Sequence, residues 1–182
     1  MKKVYLLIVS IVFLAVTFIS CDGKQSLQEY YVEKQNSSEF ISLDLPSSII
    51  SLNEDSSEET KETMETIKKL NILAYKINDL NKNEYLAEYK KVKEILNNKK
   101  YNELIRMNHD GVHVIIKYLG SDEAIDELIV LASDKNKGFA LARVLGDKMN
   151  PEKMMKLAKN FKDIDKDNSA FSQITELMGE FN

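Results

Sequence analysis

The chain has 182 residues, with 25 basic and 29 acidic side chains and a net charge of −4. This length suits one domain with a real hydrophobic core, and the acidic balance argues against a nucleic-acid partner, because nucleic-acid binding needs a basic face. Arg106 and Arg143 are the only arginines, so forked recognition of phosphate has little support. Cys21 is the only cysteine, so no disulfide can form within the chain.

Residues 1–20 have the features of a secretory signal peptide. Two lysines precede an apolar run at residues 4–19, which is short for a membrane span and suited to a signal core. The tetrapeptide Phe18-Ile19-Ser20-Cys21 resembles the bacterial lipobox, which implies cleavage just before Cys21 and acylation of its thiol. We therefore predict lipid attachment at Cys21 and a mature net charge of about −6. An uncleaved span and an ordinary secretory signal are the alternatives.

The segments after Cys21 predict a short tether, residues 21–25, and then the first half of a domain that covers residues 26–161. Ser26 and Glu29 have capping-box spacing and begin a helix that ends near Lys34. Further on, the pattern predicts a strand at residues 39–45, a helix after Ser57, a strand at residues 70–78 and a helix at residues 84–97 with Asn83 as its N-cap. The strand–helix–strand order favours a right-handed crossover between parallel strands.

From residue 101 the apolar pattern changes to a period of two. Asp110-Gly111 is a hairpin signal, and short turns join four predicted strands, at residues 101–107, 112–119, 126–133 and 138–146. Four strands joined in this way make an antiparallel meander. Asn150 and Pro151 begin a helix, whose predicted buried residues are Met154, Leu157, Ala158 and Phe161. We therefore predict an α+β fold: a single two-layer domain with a mixed six-stranded sheet, a C-terminal antiparallel meander and helices mainly on one face.

The last segment, residues 162–182, is predicted to be a polar tail that contains one amphipathic helix. The apolar side of that helix would consist of Phe171, Ile174, Leu177, Met178 and Phe181. Two interpretations stay open. The helix packs on its own domain, or residues 169–181 bind a protein partner.

The sequence contains fragments of metal-site patterns but none that is complete. His109 and His113 lie in a turn and a strand, so they are not a helical pair, and no third ligand is indicated. Asp163, Asp165 and Asp167 have the opening spacing of a calcium-binding loop, but the glycine and glutamate that the loop requires are absent. We predict no metal site and no cofactor.

Catalytic patterns are equally incomplete. No serine lies in a Gly-x-Ser-x-Gly elbow, and Cys21 is assigned to lipid attachment. The acidic pairs Asp122/Glu123 and Asp126/Glu127 are interpreted as solvated charges at a strand start. We therefore assign no catalytic or cofactor-binding residue, and the question of enzymatic activity stays open with a preference for a non-enzyme.

The order of elements resembles a known family. A lipobox is followed by strand, helix, strand, helix and a four-stranded meander, which ends in the sequence ARVLGDKMNPEKMMKL at residues 142–157. This layout, over about residues 21–161, is similar to the Bacteroidetes lipoproteins grouped as domain of unknown function 4252 (DUF4252). The resemblance implies a lipoprotein of a Gram-negative envelope. It implies no activity and supplies no catalytic residues.

These observations lead to one functional expectation with two alternatives. We expect an envelope lipoprotein, held in the membrane by its N-terminal lipid, that presents a non-enzymatic binding or interaction domain. The outer membrane is favoured over the inner, and the periplasmic or surface orientation stays open. The first alternative is a hydrolase or small-ligand enzyme with a pocket near His113. The second is a structural partner of an envelope complex that binds through the C-terminal helix.

Overall fold

A computed structural model of the chain describes residues 25–50, 52–109 and 111–159. Four α-helices are present in these residues: α1 (Leu27–Lys34), α2 (Glu58–Thr66), α3 (Lys82–Leu96) and α4 (Pro151–Lys159). Six strands accompany them: β1 (Ile41–Pro46), β2 (Ile67–Lys76), β3 (Asn102–His109), β4 (Val112–Gly120), β5 (Ile125–Asp134) and β6 (Gly138–Met149). A short 3-10 turn, Ser47–Ile49, follows β1.

The six strands form one open sheet in the order β1-β2-β6-β5-β4-β3, and every neighbouring pair is antiparallel. The predicted α+β class, the six strands and the antiparallel meander are confirmed. The predicted mixed sheet is wrong in one respect, because β1 and β2 pair antiparallel and no parallel pair occurs among the described strands.

The composition of α2 explains why β1 and β2 are not joined by a crossover. A crossover helix must cover a sheet face with a broad apolar stripe, but the fully buried residues of α2 are Thr60 and Thr63. The helix also runs directly into β2, since Ile67 is both its C-cap and the first strand residue. The helix α2 therefore forms a corner beside α4 and returns the chain antiparallel to β1.

The helices lie on both faces of the sheet. On one face, α1 and α3 pack over the main core, whose largest fully buried side chains include Tyr30, Tyr75, Phe139 and Leu141. Side chains alternate between faces along a strand, so Leu128 and Val144 point to the other face, where they cluster with Met64 of α2 and Met154 of α4. The prediction of helices mainly on one face therefore describes α1 and α3 but not α2 and α4.

Local capping signals set several helix boundaries correctly. Ser26 and Glu29 form the predicted capping box at α1, with hydrogen bonds of 3.2 Å and 2.7 Å between each side chain and the other residue's backbone N–H. Asn150 accepts a 3.0 Å hydrogen bond from the Lys153 N–H at the start of α4. The helix α3 begins earlier than predicted, at Lys82, so the N-cap position belongs to Asn81 rather than Asn83.

Several predictions fall on residues outside the described part of the chain. These are the signal peptide and Cys21, the acidic residues Asp163, Asp165 and Asp167, and the tail helix at residues 169–181. Within the described ranges, every helix is too short or too polar to cross a membrane.

Candidate functional site

The sheet is wider than the two helices that cover its main face, and this mismatch creates a groove. Tyr31 of α1 donates a 2.6 Å hydrogen bond to the Leu141 carbonyl of β6, and Tyr89 of α3 accepts one of 3.0 Å from Ser133 of β5. The helices thus lie over β2, β6 and β5, and much of β4 and β3 stays uncovered.

We call this space the α3 groove. It has a volume of about 820 Å³, which is within the usual range for small-molecule sites. The described residues that line it are Ile77, Lys82, Tyr85, Leu86, Tyr89, Lys93, Arg106, Met107, Asn108, His113, Val114, Ile115, Ser133 and Lys135. Seven of these fourteen residues are aliphatic or aromatic, so the groove offers apolar contacts to a ligand.

One wall of the α3 groove is a row of side chains along α3. Lys82, Leu86, Tyr89 and Lys93 are separated by four, three and four positions, a spacing that puts them on one side of a helix. Leu86 is 60% exposed, which is unusual for a leucine beside a core and leaves its side chain available for contact. The row therefore has a lysine at each end and an apolar centre.

The floor of the groove comes from side chains that lie opposite one another on β3, β4 and β5. Arg106 pairs with Ile115 in the sheet register, and His113 lies between Asn108 and Ser133. Beyond Ile115 on β4, Lys117 donates a 2.8 Å hydrogen bond to the Leu96 carbonyl at the end of α3. This bond fastens the end of α3 to the sheet.

Aromatic packing holds the α3 wall in place. Tyr85 and Tyr89 are stacked, with ring centroids 6.0 Å apart, and both contact the Phe139 ring at about the same distance. The Tyr85 hydroxyl also donates to the Asp134 carbonyl at 3.4 Å. Burial raises the pKa of Tyr85 above its ordinary value, so its phenol stays neutral.

The charges that line the groove are all basic. Lys82, Lys93, Arg106 and Lys135 line it, and no described lining residue is acidic. Lys82 is paired with Asp79 at 2.9 Å. Arg106 forms a two-pronged pair with Glu103 at 2.9 Å and 2.7 Å, and this hydrogen bonding raises the pKa of the guanidinium.

Of the two histidines considered as metal ligands, the structure places His113 in the groove. His113 lies there beside Ser133, but the Ser133 hydroxyl donates to Tyr89, and no side-chain hydrogen bond joins Ser133 to His113 among the described residues. Such a bond is the usual signature of an activated nucleophile. The His109 side chain lies outside the described part of the chain, and the described residues contain no group of His, Cys, Asp and Glu side chains able to hold a metal ion.

One interpretation of the acidic residues was wrong. Glu127 is not a solvated charge but is buried beside Arg143, with contacts of 2.7 Å and 3.0 Å between the guanidinium and the carboxylate. Arg143 also donates to the side chain of Gln28 on α1, and its guanidinium lies 5.9 Å from the centre of the Tyr31 ring. This cluster is buried under α1, so it serves to position that helix rather than to contact a ligand.

The sequence raised a pocket near His113 only under the enzyme alternative and did not predict a groove along α3, although a signal for it is present. The row of Lys82, Leu86, Tyr89 and Lys93 is a second stripe on α3, adjacent to the buried one. An apolar stripe bounded by lysines differs from an ordinary solvated helix face, which has no continuous apolar centre. The sequence also gives no sign that each of the two arginines pairs with a glutamate.

Comparison with known proteins supports the family assignment. No curated protein and no solved structure shows significant similarity to the chain. A family model described as Domain of unknown function (DUF4252) matches residues 30–157, which include the whole α3 groove. This match covers more than two thirds of the chain and confirms the resemblance found in the sequence. The chain therefore belongs to the DUF4252 family.

Proposed function

We propose that this protein is a lipid-anchored lipoprotein of the cell envelope whose domain binds a small, largely apolar molecule in the α3 groove without chemically converting it. The observation that carries the binding proposal is the groove itself, which has ligand-sized volume and apolar and aromatic walls. The anchor proposal depends on the signal-like residues 1–20 and on Cys21 at the lipobox position. The outer membrane is the favoured location.

A hydrolase is the alternative that the same site raises. His113 and Ser133 are register partners inside the groove, which agrees in position with an enzymatic pocket near His113. Binding is the better-supported function, because the serine hydroxyl is engaged with Tyr89 and no base is hydrogen-bonded to it in the described residues. A protein partner for residues 169–181 also stays a proposal.

The anchor is tested by changing Cys21 to Ala. We expect the wild-type protein in the detergent-soluble membrane fraction and the variant in a soluble or precursor form, because the variant has no thiol to acylate and several acyl chains are needed for firm anchoring. Fractionation followed by immunoblotting measures the distribution. An unchanged distribution would contradict lipid attachment at Cys21.

The binding proposal is tested with N-phenyl-1-naphthylamine, a neutral probe that is dim in water and bright in an apolar site. We expect saturable fluorescence enhancement from one site on the folded chain. In a Cys21→Ser background an introduced cysteine is the only thiol, so Asn108→Cys, at the groove floor, can be blocked with a bulky maleimide. Blocking should weaken probe binding by about ten-fold or more, equivalent to about 1.4 kcal/mol.

The matched control for the blocked groove is Glu123→Cys. Glu123 is exposed in the β4–β5 connection, at the opposite end of β4 from Asn108, and its labelling should leave the affinity unchanged. Unlabelled Asn108→Cys reports any effect of the substitution itself. Absence of saturable binding, or an equal loss for both labelled variants, would contradict the groove as the site.

A further inference from the structure

The charge of the α3 groove is opposite to that of the protein. The chain has a net charge of −4, with 29 acidic and 25 basic residues. Four basic side chains nevertheless line the groove without an acidic lining neighbour among the described residues. An ordinary solvated surface carries both acidic and basic side chains. A groove lined by basic side chains alone therefore favours a negatively charged ligand.

Two of the four cations are available to a ligand. Lys82 and Arg106 are paired with acidic residues, as described above. Lys93 and Lys135 are exposed and have no acidic partner among the described residues. The Lys93 ammonium lies 5.5 Å from the centre of the Tyr89 ring, and this cation–π contact holds it at the groove wall.

The positions of the two available lysines match an elongated ligand. Lys93 is on the last turns of α3, whereas Lys135 follows Asp134, whose carbonyl accepts from Tyr85 near the start of that helix. Between them lie the stacked rings of Tyr85 and Tyr89 and the side chain of Leu86. An anionic group near either lysine would therefore have an apolar surface beside it for the rest of the molecule.

The cations also indicate which kind of anion fits. Phosphate groups are best recognised by the forked guanidinium of arginine or by a glycine-rich loop, but the Arg106 fork is already filled by Glu103. The lining residues include no glycine. The two available lysines lie toward opposite ends of α3, so each offers one point charge by itself, which matches a head group with a single negative charge such as a carboxylate.

From these observations we propose that the α3 groove selects amphipathic carboxylates, molecules with an elongated apolar body and one carboxylate, and that Lys93 and Lys135 provide the charge selectivity. This inference rests on the proposed function, because it requires the groove to bind an apolar molecule. It adds the ligand class and the residues that recognise the charge.

The experiment uses three competitors of equal chain length that differ in head-group charge: dodecanoate, dodecan-1-ol and dodecylammonium. Each displaces N-phenyl-1-naphthylamine from the chain at low salt and below its micelle-forming concentration. We expect dodecanoate to compete up to about five-fold better than dodecanol, since an exposed ion pair contributes up to about 1 kcal/mol. Dodecylammonium should compete least, and raising the salt concentration should reduce the difference.

Two double variants locate the charge selectivity. Lys93→Ala/Lys135→Ala should lose most of the preference for dodecanoate over dodecanol, measured as the ratio of their competition constants, in which any change of probe affinity cancels. Lys61→Ala/Lys68→Ala removes two exposed lysines on α2 and β2, outside the groove, and should keep the preference. This control has the same net charge as the groove variant, so a difference between the two reports position rather than total charge.

The outcomes separate this inference from the proposed function. Probe binding with equal competition by all three compounds would overturn the carboxylate inference and leave the apolar site intact. A preference for dodecanoate that both double variants lose equally would overturn the assignment to Lys93 and Lys135. Absence of probe binding to the wild-type chain would overturn the proposed function as well.

Discussion

Replacing Glu127 with Ala is expected to cost about 3–5 kcal/mol of folding free energy, because it leaves the Arg143 guanidinium buried without its partner. The Arg143 and Glu127 side chains are only 10% and 6% exposed, and two hydrogen bonds join them. Domains of this size have total stabilities of about 5–15 kcal/mol, so much of the stability would be lost. Urea unfolding measures the change as a lower midpoint at a constant m-value.

The chain contains its own control for this experiment. Its second arginine, Arg106, forms an equally two-pronged pair with Glu103, but on the surface, with side chains 57% and 37% exposed. Glu103→Ala should cost no more than about 1 kcal/mol, because solvent screens an exposed pair. Similar losses for Glu103→Ala and Glu127→Ala would contradict burial as the origin of the effect.

Replacing Gly138 with Ala is the second change with a large expected effect, about 3 kcal/mol or more. Gly138 begins β6 with a φ of +126°, which L side chains rarely adopt, and an added Cβ would lie 1.9 Å from the Tyr75 carbonyl oxygen. Backbone strain alone costs about 1–3 kcal/mol, and relief of the overlap must move β2 away from β6. Thermal and urea unfolding measure the loss.

Gly111→Ala separates the cost of backbone strain from the cost of steric overlap. Gly111 has a φ of +85°, but the nearest atom to an added Cβ is 4.0 Å away, so this variant has backbone strain without overlap and should lose only about 1–2 kcal/mol. The Gly138 substitution also bears on the groove. Tyr75 and Phe139 stack with their ring centroids 5.9 Å apart, and they support the tyrosines of the groove wall. Equal losses of stability for the two variants would show that the close approach of β2 to Gly138 is unimportant.

Local features of the fold were predictable from sequence because their causes lie within a few residues. The capping box of Ser26 and Glu29, the Asp110-Gly111 hairpin signal and the Asn150-Pro151 helix start all agree with the described elements around them. Each depends on hydrogen bonds or dihedral preferences that short peptides already have. The period of two after residue 101 likewise follows from alternate burial along each strand.

Features that depend on distant residues were not predictable in this way. The strand–helix–strand order is compatible with a crossover and with a corner, and the narrow buried face of α2 and its packing beside α4 fit the antiparallel arrangement of β1 and β2. Glu127 and Arg143 are 16 positions apart and meet through the register of β5 and β6. A charge pattern within Asp126-Glu127 gives no sign of this burial.

The groove is the least predictable feature because it is a property of the whole sheet. It forms where side chains of β3, β4 and β5, which are neighbours in the sheet, face the open side of α3. Its charge comes from lysines on α3 and the β5–β6 turn and from Arg106 on β3. Membership of the DUF4252 family, shown by the match over residues 30–157, does not assign a ligand to these residues.

The most direct test of the α3 groove as a ligand site is an NMR titration of the nitrogen-15-labelled chain with dodecanoate. Ligand contact changes the amide chemical shifts of nearby residues, so the measurement locates the site without a substitution. We expect the largest shifts in residues 82–93, 106–115 and 133–135, which contain most of the groove lining. Shifts concentrated in α1, α2 or α4, or no saturable shifts at all, would contradict the account.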